Sequence, residues 1–357
     1  MNVKKELRAY QQQVDKHIQK FLNQKVNEYS KTTKFSGEMT QNFSDYIMRG
    51  GKRLRAALMY YTYKMAGNKI SSDSEFKKLS SFIEFIHAFF LVHDDIMDRD
   101  SLRRGGVTVH RQYEEIGEQL KFKDQKHFGT SMGILVGDMS CQLAYKIIAD
   151  SKIPDFQKIE IIKIVTERVN STIFGQAHDI LLAYKDSYDT HDIHLVQKLK
   201  TALYTFDTPV FIGATLGGAS KKCIKDLNGY TIPAGIAFQV RDDILGMFGE
   251  KEKTGKSANS DLKEGKRTHL IHYALAKAGR KQTKLIETFL GKDDLEQDEA
   301  DVVREIVVDT GALDHSIKLT GEYIDKALYS LGKLKNKRSK GWKFLEAIAK
   351  YMVVREV

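Results

Sequence analysis

Phe89-Phe90-Leu91-Val92-His93-Asp94-Asp95-Ile96-Met97-Asp98 places three carboxylates at the end of an apolar run long enough to form a buried helix. At 3.6 residues per turn Asp94 and Asp98 project from one face, and Asp95 sits about 100° round it. Acids this close repel unless a cation lies among them. A hard divalent ion answers that need, because Mg2+ takes oxygen ligands and binds through one or two carboxylates plus substrate phosphates. Taken alone, the stretch is equally compatible with a solvated acidic helix end. A second stretch, Gln239-Val240-Arg241-Asp242-Asp243-Ile244-Leu245-Gly246, repeats the arrangement after the apolar Ile236, Ala237 and Phe238. Two such stretches suggest one site facing itself: if both lie on helices of one bundle, their carboxylates can face each other across a cavity and hold a metal cluster in its core.

The rest of the composition agrees with helices. Only three prolines, Pro154, Pro209 and Pro233, interrupt 357 residues. So few breakers favour helices over a loop-rich β architecture. The net charge of +10 admits nucleic acid, an anionic surface or a polyanionic small substrate as partner. Cys141 and Cys223 are too few and too far apart for a disulfide framework or a zinc site, which fits a reducing cytoplasm. The first residues lack the apolar core of a secretion signal, and no apolar run reaches membrane-spanning length.

Amphipathic spacing predicts helices near 5–30, 40–66, 74–99, 127–149, 155–184, 192–217, 222–247, 265–290, 294–308, 313–332 and 341–355, with no convincing strand. Within the second pattern Gly50-Gly51-Lys52-Arg53-Leu54-Arg55 should open or kink the helix. Close approach of an anion to that backbone, beside Lys52 and Arg55, would compensate the cost of the glycines; a loop with solvated basic residues is the other reading. Arg103 and Arg104 follow the first acidic stretch directly. They suit either a phosphate or a salt-bridge network with the aspartates. Thr254 to Lys266, with Lys256 and Lys266, reads as a basic flap or a surface loop. The basic run Lys333 to Lys340 lacks interleaved aromatics and reads as a solvated turn between helices, and the histidines show no metal-ligand spacing.

In this order and spacing, the pieces resemble the all-trans short-chain prenyl diphosphate synthases, the farnesyl and geranylgeranyl diphosphate synthase family. The likeness runs from Gly50 to Lys266. It rests on Gly51-Lys52-Arg53, His87, Asp94-Asp95-x-x-Asp98, Arg103-Arg104-Gly105, Gly137-Asp138, Lys200-Thr201, Phe238-Gln239-x-x-Asp242-Asp243, Gly255-Lys256, Ser260-Asp261-Leu262 and Gly265-Lys266. The resemblance implies a single domain over 1–357, a helical bundle of the isoprenoid synthase type around a deep central cavity. It implies a cytoplasmic homodimer that condenses isopentenyl diphosphate with allylic diphosphates, without nucleic acid or a membrane span. It further implies Mg2+, three ions per site, held by Asp94, Asp98 and Asp242, with Asp95 and Asp243 beside them. Arg103, Lys200, Lys256 and Lys266 would contact the allylic diphosphate. Isopentenyl diphosphate would sit on Lys52, Arg55, His87 and Arg104. The backbone oxygens of Lys200 and Thr201 and the Gln239 side chain would face the allylic cation.

One departure stands out: Gly246 occupies the position where many relatives carry a third aspartate. Altered metal affinity is expected, with the second motif resting on Asp242 alone or on Asp242 joined by Glu250. The chain ends Val353-Val354-Arg355-Glu356-Val357, without the basic tail of some relatives. In a helix Phe90 and Phe89 lie about 6 and 7.5 Å below Asp94, where a growing hydrocarbon would descend. Two rings there suggest a floor and a C15 farnesyl product, while the glycine variant looks like that of some C20 producers. A terpene cyclase would not need the second diphosphate site, and a non-catalytic subunit of a heteromeric synthase would not need the intact first motif with Lys200 and Lys256.

Overall fold

The computed structural model describes residues 1–67, 72–185, 187–249, 259–334, 337 and 339–354. Among them regular structure is almost wholly helical, and the one sheet is a hairpin of two-residue strands, Leu102–Arg103 and Gly106–Val107. The chain forms two compact units: one holds residues 2–60 and 69–162, the other Met1, 61–68 and 163–357. The all-α expectation holds.

In the first unit the helix Val3–Tyr29 starts where Asn2 accepts a hydrogen bond from the Lys5 amide at 3.1 Å. Its buried stripe comprises Leu7, Tyr10, Val14, Ile18 and Leu22, while Phe21 and Val26, which the helical spacing places with them, are only half-buried. The predicted 40–66 helix is two helices, Lys34–Met48 and Leu54–Ala66. Gly50 and Gly51 separate them, both at φ +119, a conformation open to glycine. Phe82–Met97 carries the first acidic stretch and packs against Gln125–Ala149.

Two helices are absent from the predicted series, the single turn Ser260–Lys263 and the longer Val109–Gln119, and the latter also packs on Gln125–Ala149. Only Val109, Tyr113 and Ile116 of its eleven residues are large and apolar, and glycines on its neighbour make part of the contact. A Cβ on Gly129 would lie 2.4 Å from the His110 carbonyl oxygen, so backbone meets backbone there.

In the second unit the long helix Lys221–Phe248 bears the second acidic stretch and lies against Ala312–Gly332. Ile236, Val240, Ile244 and Met247 on its inner face join Leu262, Ile271, Ile286, Val303 and Val307 in one buried cluster. The predicted 192–217 helix has a different centre: α-helix Thr190–Val196 runs into a π-helix, Gln197–Asp207, before α-helical turns resume at Thr208–Leu216.

The same unit gathers histidines that are scattered in sequence. His269 feels the charges of His272, His315 and His194, and burial is the larger cause that pushes its pKa from 6.5 down to about 4. The His315 ring stacks on Tyr273 with centroids 4.1 Å apart. Because the folded state holds His269 neutral while the unfolded chain protonates it near pH 6.5, this contribution is complete above pH 6.5. It falls away toward pH 4, by up to about 1.4 kcal/mol per unit. His269→Gln should therefore flatten the decline of the thermal midpoint between pH 7 and 4.5; an unchanged slope would contradict this.

Candidate active site

The first acidic motif divides its carboxylates between two tasks. Asp95 is fully buried at the end of its helix. The Tyr46 hydroxyl donates to its Oδ2 at 2.7 Å, and the Arg103 guanidinium donates to its Oδ1, Nε at 2.6 Å. Arg103 also reaches Asp100 at 3.0 Å and lies 3.7 Å from Asp94. Burial opposes the charge on Arg103, yet Asp95, Asp94 and Asp100 together hold its pKa above the usual value. Burial and Asp95 push the Tyr46 hydroxyl upward as well, so it remains a donor.

Asp94 and Asp98, one turn apart, are only partly buried. Their hard oxygen donors on one helix face fit a divalent ion. Asp95 is instead held on both sides by the protein's own groups.

The hairpin explains how Arg103 and Arg104 diverge. Arg104 and Gly105, at φ +53 and +74, form its two-residue tip. Arg103 turns to the aspartates, and Arg104 donates to the Gly50 carbonyl oxygen. A Cβ on Gly51 would lie 2.9 Å from the Arg104 guanidinium. The glycine pair lies in a loop between two helices, one of the two readings the sequence offered, and the Arg104 guanidinium approaches it from the same unit.

Arg53, which shares that stretch, is a strut. It is almost wholly buried, donates to Asp15 at 2.7 Å and to the Ile47 carbonyl oxygen at 2.8 Å, and lies 3.6 Å from Glu84. Lys52 stays exposed, and Arg55 stands on the first turn of the following helix.

Burial, followed by the charges of Arg55, Arg104, Arg53 and Arg103, holds the His87 imidazole well below its usual pKa, and so neutral. Burial and Arg53 lower Arg104 too, with Glu84 opposing. This is the signature of cations gathered in excess, an electrostatic setting for a polyanion. Phe89 and Phe90 are half-buried, their rings 4.9 Å apart, and Phe89 meets His93 edge-on. Gly137 admits the His93 ring, since a Cβ there would lie 2.6 Å from its Cε1.

In the other unit, Thr201 donates to Gln239 at 2.5 Å and Gln239 donates to Asp243 at 2.7 Å, with Gln197 at 3.4 Å on the second Asp243 oxygen. Burial, then Asp261, pushes the Asp243 carboxyl up to about 7, against the pull of Gln239 and Lys266. Asp243, like Asp95, is thus internally occupied, while Asp242 is less enclosed. The Lys200 ammonium pairs with Asp179 at 2.6 Å, and Lys266 pairs with Asp261 at 3.0 Å and Glu264 at 2.5 Å. Lys256 and Glu250 lie outside the described residues.

Asp261 also accounts for Gly246. A Cβ on Gly246 would lie 2.2 Å from Asp261 Oδ2, so a carboxylate from elsewhere in the chain stands where a side chain at 246 would go. Among residues the sequence left without a role are Tyr46, Asp179 and Asp261. Asp261 had a signal in its Ser-Asp-Leu setting, whereas Tyr46 had none.

The profile of the polyprenyl synthetase family matches residues 37–307. A geranylfarnesyl diphosphate synthase of Aeropyrum pernix is 34% identical over 313 residues, which cover 87% of this chain and 92% of that relative. A geranylgeranyl diphosphate synthase of Sulfolobus acidocaldarius is 27% identical over 353 residues, covering 95% and 99%. A solved geranylgeranyl pyrophosphate synthase of Corynebacterium glutamicum, complexed with isoprenyl diphosphate and magnesium, superposes with a TM-score of 0.92 at 29% identity, covering 97% of this chain and 99% of that one.

Tyr46→Phe would leave a buried carboxylate with one donor fewer. The expected cost is about 1.5–3 kcal/mol in chemical denaturation, and a change near zero would mean that Arg103 alone satisfies Asp95.

Proposed function

This chain belongs to the polyprenyl synthetase family, and from that premise we propose that its end product is geranylgeranyl diphosphate, the C20 member of the short-chain series. The family establishes the reaction class: the protein is a trans-prenyltransferase that joins isopentenyl diphosphate to allylic diphosphates. The observation that carries the C20 reading is the naming of its relatives, geranylgeranyl and geranylfarnesyl diphosphate synthases at 27 to 34% identity. It supports C20 over the C15 expectation drawn from Phe89 and Phe90. In this reading the paired rings set the upper limit, stopping growth short of C25.

Asp94, Asp98 and Asp242 would hold Mg2+, three ions as the resemblance implies, and the bound metal would supply positive charge to the departing diphosphate. The protein's own groups do the rest. Arg103, Lys200, Lys266 and Lys256 bind the allylic diphosphate, and Lys52, Arg55, Arg104 and neutral His87 bind isopentenyl diphosphate. When the allylic C–O bond breaks, its electron pair leaves with the diphosphate. The isopentenyl double bond then attacks the cation, and a proton lost to the released pyrophosphate restores an alkene five carbons further along. The Lys200 and Thr201 carbonyl oxygens and Gln239 face the cation, stabilising it by their dipoles without capturing it.

The family match runs across both compact units, which supports reading 1–357 as one synthase domain. No described helix is long and apolar enough to cross a membrane, and a cytoplasmic location is part of the proposal. So is a homodimer. On the helix Asp155–Ala183, Ile173, Phe174, Ile180 and Leu181 are exposed at helical spacing, with Tyr184 just beyond. A second copy of this chain is the partner that such a face suits.

Purified protein given Mg2+, labelled isopentenyl diphosphate and dimethylallyl, geranyl or farnesyl diphosphate should accumulate C20 product, and Phe89→Ala with Phe90→Ala should lengthen it. A C15 product would overturn the C20 reading, an unlengthened one the limit set by the rings, and no elongation by the chain alone would favour a regulatory subunit. Phe174→Glu with Leu181→Glu should halve the mass seen by light scattering; a wild-type monomer would sink the dimer proposal.

A further inference from the structure

The π-helix Gln197–Asp207 is eleven residues long and contains Lys200 and Thr201. Such geometry commonly appears as a single-turn bulge at a functional site, so a run of this length needs outside support. Two neighbouring helices of the same unit supply it in matching ways. On Asp155–Ala183, a Cβ at Gly175 would lie 2.3 Å from the Lys200 amide nitrogen and 2.8 Å from the Leu199 carbonyl carbon. On Lys221–Phe248, a Cβ at Gly235 would lie 2.4 Å from Ala202 Cα and 2.6 Å from Ala202 Cβ. Backbone thus meets backbone on both sides of Thr201.

One turn beyond each glycine, on the same helix face, a polar side chain takes hold of the same segment. In Gly175-Gln176-Ala177-His178-Asp179 the last residue pairs with the Lys200 ammonium at 2.6 Å. In Gly235-Ile236-Ala237-Phe238-Gln239 the last residue accepts from the Thr201 hydroxyl at 2.5 Å. The far end is anchored too: buried Asp207 accepts from Thr231 at 2.7 Å and Asn228 at 3.1 Å, and pairs with Arg168 at 2.8 Å.

We propose that Gly175 with Asp179 and Gly235 with Gln239 form a two-sided clamp that fixes the Lys200–Thr201 backbone in its π-helical position, making both glycines positioning residues for the ionisation step. The inference rests on the role given above to the Lys200 and Thr201 carbonyl oxygens. The contacted atoms are backbone, or the Ala202 Cβ fixed rigidly to it, and cannot swing aside, so even one methyl group must displace the segment. A misplacement near 1 Å at the reacting centre can cost about 100-fold in rate.

The test compares Gly175→Ala and Gly235→Ala with Gly321→Ala, a helical glycine with nothing within 4 Å of its added Cβ. The clamp predicts that the first two lower kcat about 10- to 100-fold, leave the KM for isopentenyl diphosphate unchanged and speed amide hydrogen exchange across 197–207, while the control changes neither. Should the clamp variants fail to fold, Asp179→Asn keeps the shape and removes only the charge holding Lys200; it should lower kcat with the KM for isopentenyl diphosphate unchanged. Glycine variants indistinguishable from the control, or an Asp179→Asn enzyme of full kcat, overturn the proposal. An inactive wild type would refute the synthase reading instead, and hydrogen exchange would still report on the clamp.

Discussion

A carboxylate buried at a helix end must be neutralised by its own protein, and that constraint organises the first unit of this molecule. Asp95 is satisfied by Tyr46 and Arg103, groups delivered by the Lys34–Met48 helix and the hairpin. Removing a charge from water costs several kcal/mol unless it is paired and hydrogen-bonded. Meeting that demand fixes where the hairpin lies, and so where Arg104 emerges. It also leaves Asp94 and Asp98, which nothing encloses to the same degree, as the carboxylates suited to a metal.

The second acidic helix solves the same problem with neutral amides. Gln239 and Gln197 hold Asp243, and Thr201 in turn donates to Gln239. The Lys200–Thr201 segment and the acidic motif therefore belong to one hydrogen-bonded network. Glycines recur wherever backbone or rings must come close: Gly175 and Gly235 at the π-helix, Gly137 beneath His93, Gly129 at the His110 carbonyl. Gly246 belongs with them, since its missing side chain admits the Asp261 carboxylate and the departure from the aspartate-rich pattern becomes a packing solution.

Much of this was legible beforehand. Helical spacing located most of the helices, and in the first it picked out Leu7, Tyr10, Val14, Ile18 and Leu22, which are buried, along with Phe21 and Val26, which are half-buried. Val109–Gln119 escaped because only three of its eleven residues are large and apolar, and the π-helix escaped because no residue type marks a shift of the backbone hydrogen bonds from four residues to five. Arg53 read as one more cation in a basic run, yet it is a buried strut to Asp15 and the Ile47 carbonyl. A charge run does not reveal which member points inward.

The sequence by itself determined the all-α class, the two acidic stretches, the basic residues that accompany them and thereby the family, because these are carried by residue type and short-range spacing. The tertiary structure alone decided which aspartate is neutralised and which remain suited to a metal, which arginine serves as strut, and which carboxylate fills the space beside Gly246. Those outcomes depend on partners 49 residues apart for Tyr46 and Asp95, and on backbones that touch only where two distant glycines allow it. Neither pairing nor close approach has a local period, so no window along the chain contains it.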